Sequence, residues 1–585
     1  MRDNCSFVEL AKKLYGLENY VRGDVITVDQ EGYLVINIGN SKIKIKELLD
    51  SLKLDIAYIR VLPLIERAMK LVYKAYKYAS EAVGYKGTLI PLYPMKVNPL
   101  PVIVEAIFKY GESYNWGFNA GSIGEVKLLR SLSSKWKPRM LIYDGVVTEN
   151  VLEELVALKK QGWRVVVDVQ SEHDAEILLK YPEVEVGLRI KPVVKLHGKW
   201  SSSVGLSSKF GITMNIVEKL LSDFKWLRER ATVLHMHPGS QIYKLLDIKN
   251  YFDEVKQVYE ELKKMNFTAL NIVDPGGGAA YPYYDTREGT EESPDYTIVE
   301  YFNELLTRLA SFEPQPEVVF EGGRFIVSAH RVVVAKVVDV RPYSAVQSGE
   351  GVSASVVDEV DSYEDAEKVL HEVKAVISSL KKTGALDNDK RTLYENLVKL
   401  VREDLVHKLA ELIGTGMLNC NELLKHKSLL RILTSPSKRY ILNMSIFADV
   451  PDTVLVDQYF QVVPAQRLNE PPDVVATISD LTCDSMGELS LFISSVGNQL
   501  DKCIFTRYDS RLIAAPGFRL KLRGIPLHLP TKDESYYVAI LDTGAYQDTL
   551  AMRHNLIYGA PEVIIDLDDK GEVNIRVIRH EELYT

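Results

Sequence analysis

What most limits the fold of this 585-residue chain is an alternation that starts near residue 88 and runs to about 321. Strand-like apolar runs recur at about 88–97, 115–120, 139–145, 164–169, 185–192, 231–240, 269–275 and 317–321. Amphipathic helical stretches separate them, among them Val102–Tyr110, Ile123–Leu132, Val151–Lys160, Glu172–Tyr181, Ile216–Phe224, Tyr251–Met265 and Tyr296–Leu309. Strands joined through helices are parallel, and eight such units over roughly 260 residues predict an α/β fold built on a (β/α)8, TIM-like barrel. A doubly wound open sheet is the alternative, but it more often has fewer repeats and a GxGxxG after its first strand.

Around this barrel, read as 58–325, the pattern changes. Residues 1–57 carry alternating stretches, DVITVDQEGYLVINIG and SKIKIKELL, that read as a hairpin turning at Glu31-Gly32 and joining a second, β-rich domain. From Ile59 to Val83 the apolar spacing is helical and stops at Gly84. After Arg324 the run FIVSAHRVVVAKVVDVRPYS is long and β-branched and reads as antiparallel strand. The second domain, a β-barrel or sandwich, is assigned to 326–356 and 433–585, with 357–432 as a helical insertion.

Composition narrows the partners. With 80 acidic against 71 basic residues the formal charge is −9, which gives no reason to expect nucleic acid or an anionic membrane. No apolar run approaches the ~18–20 residues that span a bilayer, and MRDNCSFVEL lacks a signal-peptide core, so the expectation is a cytoplasmic protein. The four cysteines, Cys5, Cys420, Cys483 and Cys503, are far apart and include no CxxC, so neither a disulfide framework nor a zinc site is expected.

In a barrel the working residues lie at the C-terminal strand ends. The first such strand ends in Lys96, an amine able to form a Schiff base where desolvation or a neighbouring cation lowers its pKa. The sixth ends in His235-Met236-His237-Pro238-Gly239-Ser240, the seventh in Asp274-Pro275-Gly276-Gly277-Gly278, and the eighth in Glu321-Gly322-Gly323-Arg324. Consecutive glycines let backbone N–H groups approach a phosphate. Glu321 suits a ring nitrogen or, alternatively, an ion pair with Arg324, and His237 suits stacking on a flat cofactor. An amine, a phosphate cradle, a stacking group and a carboxylate together suit pyridoxal phosphate.

These residues, with Tyr93–Asn98, Ala120-Gly121-Ser122, Ser208–Gly211, Asp480–Ser485, and Gly544–Gln547 followed by His554–Leu556, resemble the alanine-racemase-like, barrel-type pyridoxal-phosphate decarboxylases. Within that family the resemblance is to the biosynthetic arginine decarboxylases. It implies that Lys96 carries the cofactor and His237 stacks on its ring. Ser240, Gly276, Gly277, Gly278, Arg324 and Tyr546 would hold the phosphate, Glu321 the pyridine nitrogen, and Arg189 would stand near the phenolic oxygen. It further implies that Cys483 is the acid that reprotonates the product, that Asp484 contacts the distal cationic end of the substrate, and that both enter from a second subunit of a homodimer or higher oligomer. Asp457 is a further candidate for that cationic end.

The implied reaction is decarboxylation of L-arginine to agmatine, an early step towards polyamines such as spermidine. The resemblance also attributes magnesium to such enzymes, although no ligand set in the sequence supports it. Ornithine, lysine or diaminopimelate as substrate, a non-catalytic homologue, and an unrelated barrel hydrolase are the rival readings, the last lacking a metal or carboxylate dyad at the strand ends. Three features depart from the family pattern: Asn119 in place of an acid, Pro99 after Asn98, and an end at Thr585 without a helical extension. The stretch Lys195–Lys209 reads either as a loop closing over the site or as ordinary surface.

Overall fold

The computed structural model describes residues 7–197, 205–343, 354–382, 384–489, 491–494, 503–515, 520–557 and 559–579. Its centre is a closed barrel of eight parallel strands: Leu89–Pro94, Gly117–Ala120, Met140–Tyr143, Arg164–Val169, Glu185–Ile190, Ala231–Met236, Ile272–Asp274 and Glu317–Phe320. The last closes on the first through Val318, Val319 and Phe320 opposite Leu89, Ile90 and Pro91. Helix starts between them carry side-chain caps, from Ser122, Thr148 and Ser171, and a capping box joins Thr297 to Glu300.

The lumen explains where the polar residues stand. Leu92, Met140, Ile142, Val166, Val233, Ile272 and Val319 form a small apolar cluster inside the barrel. Side chains along a strand alternate, so the residue two positions onward points the same way. That places Asp144, Asp168, His235, Asp274 and Glu321 one layer nearer the C-terminal mouth. Gly187 lies where a Cβ would come 2.1 Å from Asp168 Oδ1, so it faces the lumen, and the same rule sends Arg189 to the mouth.

The second domain is organised by the 12-residue strand Arg331–Pro342. Its first half lies between Ile56–Val61 and Tyr537–Ile540, and its second half pairs with Lys438–Leu442, with a register shift between Val337 and Asp339. Ile56–Val61 is also parallel to Glu562–Leu567, so a segment before the barrel sits mid-sheet. Helices Ala354–Asp358, Tyr363–Lys382, Asn388–Lys399, Leu405–Gly414 and Lys427–Leu433 share a separate core, to which Leu512, Ala515 and Leu522 of the β-rich part contribute.

Four sequence expectations change. The helix expected from Ile59 begins at Pro63, where a missing N–H is harmless, because Ile56–Val61 is taken by the sheet. The N-terminal hairpin forms, with Gly32 at φ 84°, but it makes its own three-stranded sheet with Ser41–Lys44. It is tied to the second domain by Leu34 N–H donating to Ala465 O and Leu468 N–H to Gly32 O. Residues Gly323–Val327 and Ser328–His330 are helical turns rather than strand, and these aim Arg324 back over the barrel mouth. Cys420 and Cys503, 83 residues apart, form a disulfide between the helical insertion and the β-rich part. Spacing over such a distance carries no signal of pairing.

Candidate active site

Lys96 sits on a short 3-10 turn, Met95–Val97, directly after the first barrel strand. Its amine opens into a cleft of about 200 Å³ shared with Arg189, His237, Ser240, Phe210 and Tyr546. A narrower cavity of about 30 Å³ continues beneath it, lined by Gly277, Gly278, Glu321, Gly322, Gly323 and Arg324 as well as Lys96, His237, Ser240 and Tyr546. Lys96 is therefore reached by solvent through the cleft while protein surrounds it on every other side.

Its charge is governed chiefly by burial and by Asp144. Burial pushes the Lys96 amine down, but Asp144, then Tyr546 and Glu321, outweigh that and hold it above its ordinary value, with Arg189 opposing them. Asp144 is the dominant counter-charge, and burial in turn pushes it up while Lys96, Arg189 and His235 bring it below the usual carboxylate range. Arg189 Nη1 donates to Asp144 Oδ2 at 2.7 Å and its guanidinium lies 5.0 Å from the Phe210 ring. Asp144 N–H donates to Ala120 O, so this acid stands one strand over from Asn119.

His237 is kept neutral, pushed well below its ordinary value by burial and by the charges of Lys96, Arg189 and His235. Gly239 N–H donates to its Nδ1 at 3.1 Å, which puts its own proton on Nε2. Beneath it lies the polar layer of the lumen. His235 Nδ1 is 2.6 Å from Asp168 Oδ2, and His235 Nε2 is 3.9 Å from Glu321 Oε2. His235 loses charge to burial but gains more from Asp274 and Asp168, which lift it to about 9. Glu321 is pushed up by burial and by Asp274, and Asp274 is raised by burial in the same way.

Glu321 does not pair with Arg324. Both carboxylate oxygens of Glu321 are buried without a hydrogen-bond partner among the described residues, as are His235 Nε2 and Asp274 Oδ2. Arg324 instead donates from Nη1 to Tyr283 OH at 2.9 Å and from Nε to Ser240 Oγ at 3.3 Å, and stacks 4.8 Å from the Tyr546 ring. Ser240, Arg324 and Tyr546 are thus brought together in a cavity that Glu321 also lines. The three glycines are not equivalent: Gly276 N–H is given to Asp274 Oδ1 at 2.8 Å, whereas Gly277 and Gly278 line the cavity. A Cβ at Gly278 would come 2.9 Å from Ile242 and 3.0 Å from Pro238, on top of a φ of 98°.

Three residues singled out in the sequence stand elsewhere in the single chain. Cys483 is exposed, with its N and Sγ 3.3 and 3.4 Å from Asn555 Oδ1. Asp484 Oδ2 lies 3.7 Å from His554 Nε2. Asp457, in the left-handed region at φ 52°, lines a different cavity of about 350 Å³ with Tyr459 and Glu488. Of the loop 195–209, Gly205 and Ser208 line the Lys96 cleft, and 198–204 lies outside the described residues. Sequence reasoning missed Asp144 and Asp168 as site residues, and it placed His235 and Asp274 at strand ends without giving either a role. The signal was present as a polar residue two positions after an apolar lumen residue.

An amine at a barrel mouth, an arginine and hydroxyl cluster beside glycines, and an unpartnered buried carboxylate are the groups that pyridoxal phosphate would need on a TIM-like barrel. Residues 69–328 match the family described as pyridoxal-dependent decarboxylase, pyridoxal binding domain. The motif resemblance to biosynthetic arginine decarboxylases holds along nearly the whole chain. The chain is 27% identical to the biosynthetic arginine decarboxylase of Bacteroides thetaiotaomicron over 96% of its own length and 89% of that protein. The corresponding protein of Geobacter sulfurreducens is 27% identical over 97% of the chain and 89% of its own length. Among solved structures, the biosynthetic arginine decarboxylase of Campylobacter jejuni superposes with a TM-score of 0.71 at 25% identity, covering 100% of this chain and 92% of that one. A diaminopimelate decarboxylase from M. jannaschii shares the fold, with a TM-score of 0.59 at 16% identity over 94% of both chains.

Proposed function

We propose that this chain decarboxylates L-arginine to agmatine and carbon dioxide with pyridoxal phosphate as cofactor, feeding polyamine synthesis. The observation that carries the reading is the single cavity in which the Lys96 amine meets an unpartnered Glu321 and the Ser240–Arg324–Tyr546 group. Near full-length likeness to arginine decarboxylases supports the substrate. When bound, pyridoxal phosphate supplies an aldehyde for the amine and a protonated ring that accepts the electron pair left by the departing carboxylate.

The residues of the chain divide the remaining work. Arg324, Ser240, Tyr546 and the N–H groups of Gly277 and Gly278 hold the phosphate end. Glu321 takes the ring nitrogen, and the His235–Asp168 pair beneath it keeps a positive charge facing that carboxylate. His237, neutral and held by Gly239 N–H, covers one ring face without adding charge. Arg189 stands at the phenolic side, fixed by Asp144. The negative charge of Asp144 favours the protonated form of the Lys96 amine.

Cys483 and Asp484 are proposed to serve the cleft of a second copy, Cys483 delivering the proton to the α-carbon and Asp484 receiving the guanidinium, for which a carboxylate has the matching fork. Their position outside the Lys96 cleft of their own chain motivates this, and it makes the working unit at least a homodimer. Asp457 is a secondary candidate for substrate contact through the same partner. Magnesium is left out: among the described residues the set close enough to share an ion is His235, Asp274 and Glu321, and a histidine at the cofactor ring suits that ion poorly. No helix among the described residues is long and apolar enough to cross a membrane, which accords with a cytoplasmic site of action.

The test is product identification by mass from arginine, ornithine, lysine and diaminopimelate offered separately with pyridoxal phosphate. Agmatine from arginine supports the substrate, and a diamine or lysine from one of the others overturns it while keeping the chemistry.

A further inference from the structure

The turn that carries Lys96 is gripped from outside the barrel. Asn98, fully buried, donates from Nδ2 to Gly544 O at 3.0 Å and to Asp548 Oδ2 at 2.7 Å. Tyr546 N–H donates to Val97 O at 2.9 Å. The loop Gly544–Asp548 of the second domain therefore lies along Lys96–Asn98, and it brings Tyr546 into the same cavity as the amine. The fit is close, since a Cβ on Gly544 would come 1.9 Å from Val327 O.

Asp548 is itself fixed by two arginines from other segments. Arg60 Nη1 and Nη2 donate to its two oxygens, each at 3.0 Å, as a fork, and Arg331 Nε stands 3.3 Å from Oδ1. Arg60 comes from the strand before the barrel and Arg331 from the strand after it. Arg60 divides itself between Asp548 and Glu562, donating to the latter from Nε at 2.9 Å and Nη2 at 3.1 Å. Two arginines and two carboxylates balance, and such a buried set holds one geometry because any missing partner leaves a charge unpaired.

We propose that Asp548 is a positioning residue for the reaction: through Asn98 it locks the Lys96 turn against the Tyr546 loop, so that amine and phosphate end keep a fixed separation. A carboxylate is required there because every neighbour is a donor. An asparagine would turn an N–H2 group towards Arg60 or Asn98 and lose at least one of those bonds. The consequence for cofactor binding rests on the pyridoxal-phosphate reading above, whereas the clamp itself does not.

The experiment compares Asp548→Asn, Asp548→Glu, Asn98→Ala and the double variant N98A/D548N with Glu562→Gln, which touches Arg60 but not the lysine turn. Hydrogen exchange at the Tyr546 amide in the cofactor-free protein reads the clamp directly. It is expected to accelerate in D548N and N98A and to stay near wild type in E562Q, whatever E562Q does to the melting temperature. Pyridoxal-phosphate affinity, from absorbance titration and borohydride trapping on Lys96, is expected to fall about 10- to 100-fold in D548N and N98A. The double variant should lose little more than either single one, and D548E should recover part of the loss. Equal exchange at Tyr546 in D548N and wild type, or a purely additive double variant, would overturn the proposal. Should the wild-type chain take up no pyridoxal phosphate, the proposed function falls, and the exchange comparison still decides the clamp.

Discussion

Asp168 and His235 form a closed pair 2.6 Å apart in the barrel lumen, both side chains fully buried, with the far nitrogen of the imidazole facing Glu321. The pair turns a run of apolar strands into a charged floor. His235 with its proton lowers the cost of an ionised Glu321 in a place where burial alone would neutralise it. His235→Gln is expected to weaken pyridoxal-phosphate binding by about tenfold, and Asp168→Asn by less, because each removes about one charge-assisted contact. Equilibrium dialysis of the cofactor checks this, and unchanged affinity in both variants would show the floor to be merely structural.

The same groups set a pH dependence. His235 is raised above an unfolded value of 6.5 to about 9, so its contribution is fully present below 6.5 and is lost as pH climbs through 9. Glu321 and Asp274 are also raised above their unfolded carboxylate values, which makes the folded state bind more protons than the unfolded one above those values. All three signs agree: the cofactor-free protein loses stability as pH rises from the carboxylate range to 9. Melting temperature against pH for wild type and Glu321→Gln tests it, with a flatter profile expected for the variant.

Arg324 links Tyr283, Ser240 and the Tyr546 ring. Arg324→Ala is predicted to raise the cofactor dissociation constant by about 10- to 100-fold, since a charged donor to phosphate contributes roughly 1.5–3 kcal/mol. Excess pyridoxal phosphate should restore much of the activity. Lost activity that no cofactor concentration restores would place Arg324 in a different role.

Shared sites between copies have an arithmetic signature. If Lys96 of one copy works with Cys483 of another, Lys96→Ala and Cys483→Ala are each nearly inactive, yet randomly mixed dimers recover about a quarter of wild-type activity, because half are mixed and each has one intact site. Co-expression of the two variants with separate affinity tags measures this. Absence of recovery in isolated mixed dimers would contradict the shared arrangement.

The disulfide between Cys420 and Cys503 closes a loop across 83 residues and joins the core of the helical insertion to the β-rich part. Cys420→Ser is expected to cost about 2–4 kcal/mol of stability. Decarboxylation at moderate temperature should be unaffected, as the bridge lies outside the Lys96 cleft. Denaturant melts with and without reductant check the first expectation and a rate assay the second.

How much of this was legible beforehand follows from period and distance. Eight βα repeats are local patterns, so the barrel could be read, and strand-end residues such as Lys96, His237, Glu321 and Arg324 followed from it. Asp144, Asp168 and Asp274 could have been found by counting two residues on from Ile142, Val166 and Ile272, but an aspartate at a strand end looks like any turn residue. The charge that most raises the Lys96 pKa, Asp144, is 48 positions away and leaves no local signal at the lysine. Long-range pairings left no trace of this kind: Ile56–Val61 entering the sheet beside Arg331–Pro342, the Asp548 clamp, and the Cys420–Cys503 bridge all join segments whose spacing in sequence says nothing about their contact.

Loss of carbon dioxide from arginine is proposed to depend on pyridoxal phosphate carried by Lys96 in the cavity lined by Glu321 and Arg324. Release of labelled carbon dioxide from carboxyl-labelled L-arginine by the purified protein, beside Lys96→Ala, tests it most directly. Release with matching agmatine is expected from wild type, and none above background from Lys96→Ala. Release that persists without Lys96, or a correctly folded, cofactor-loaded wild type that releases none, would contradict it.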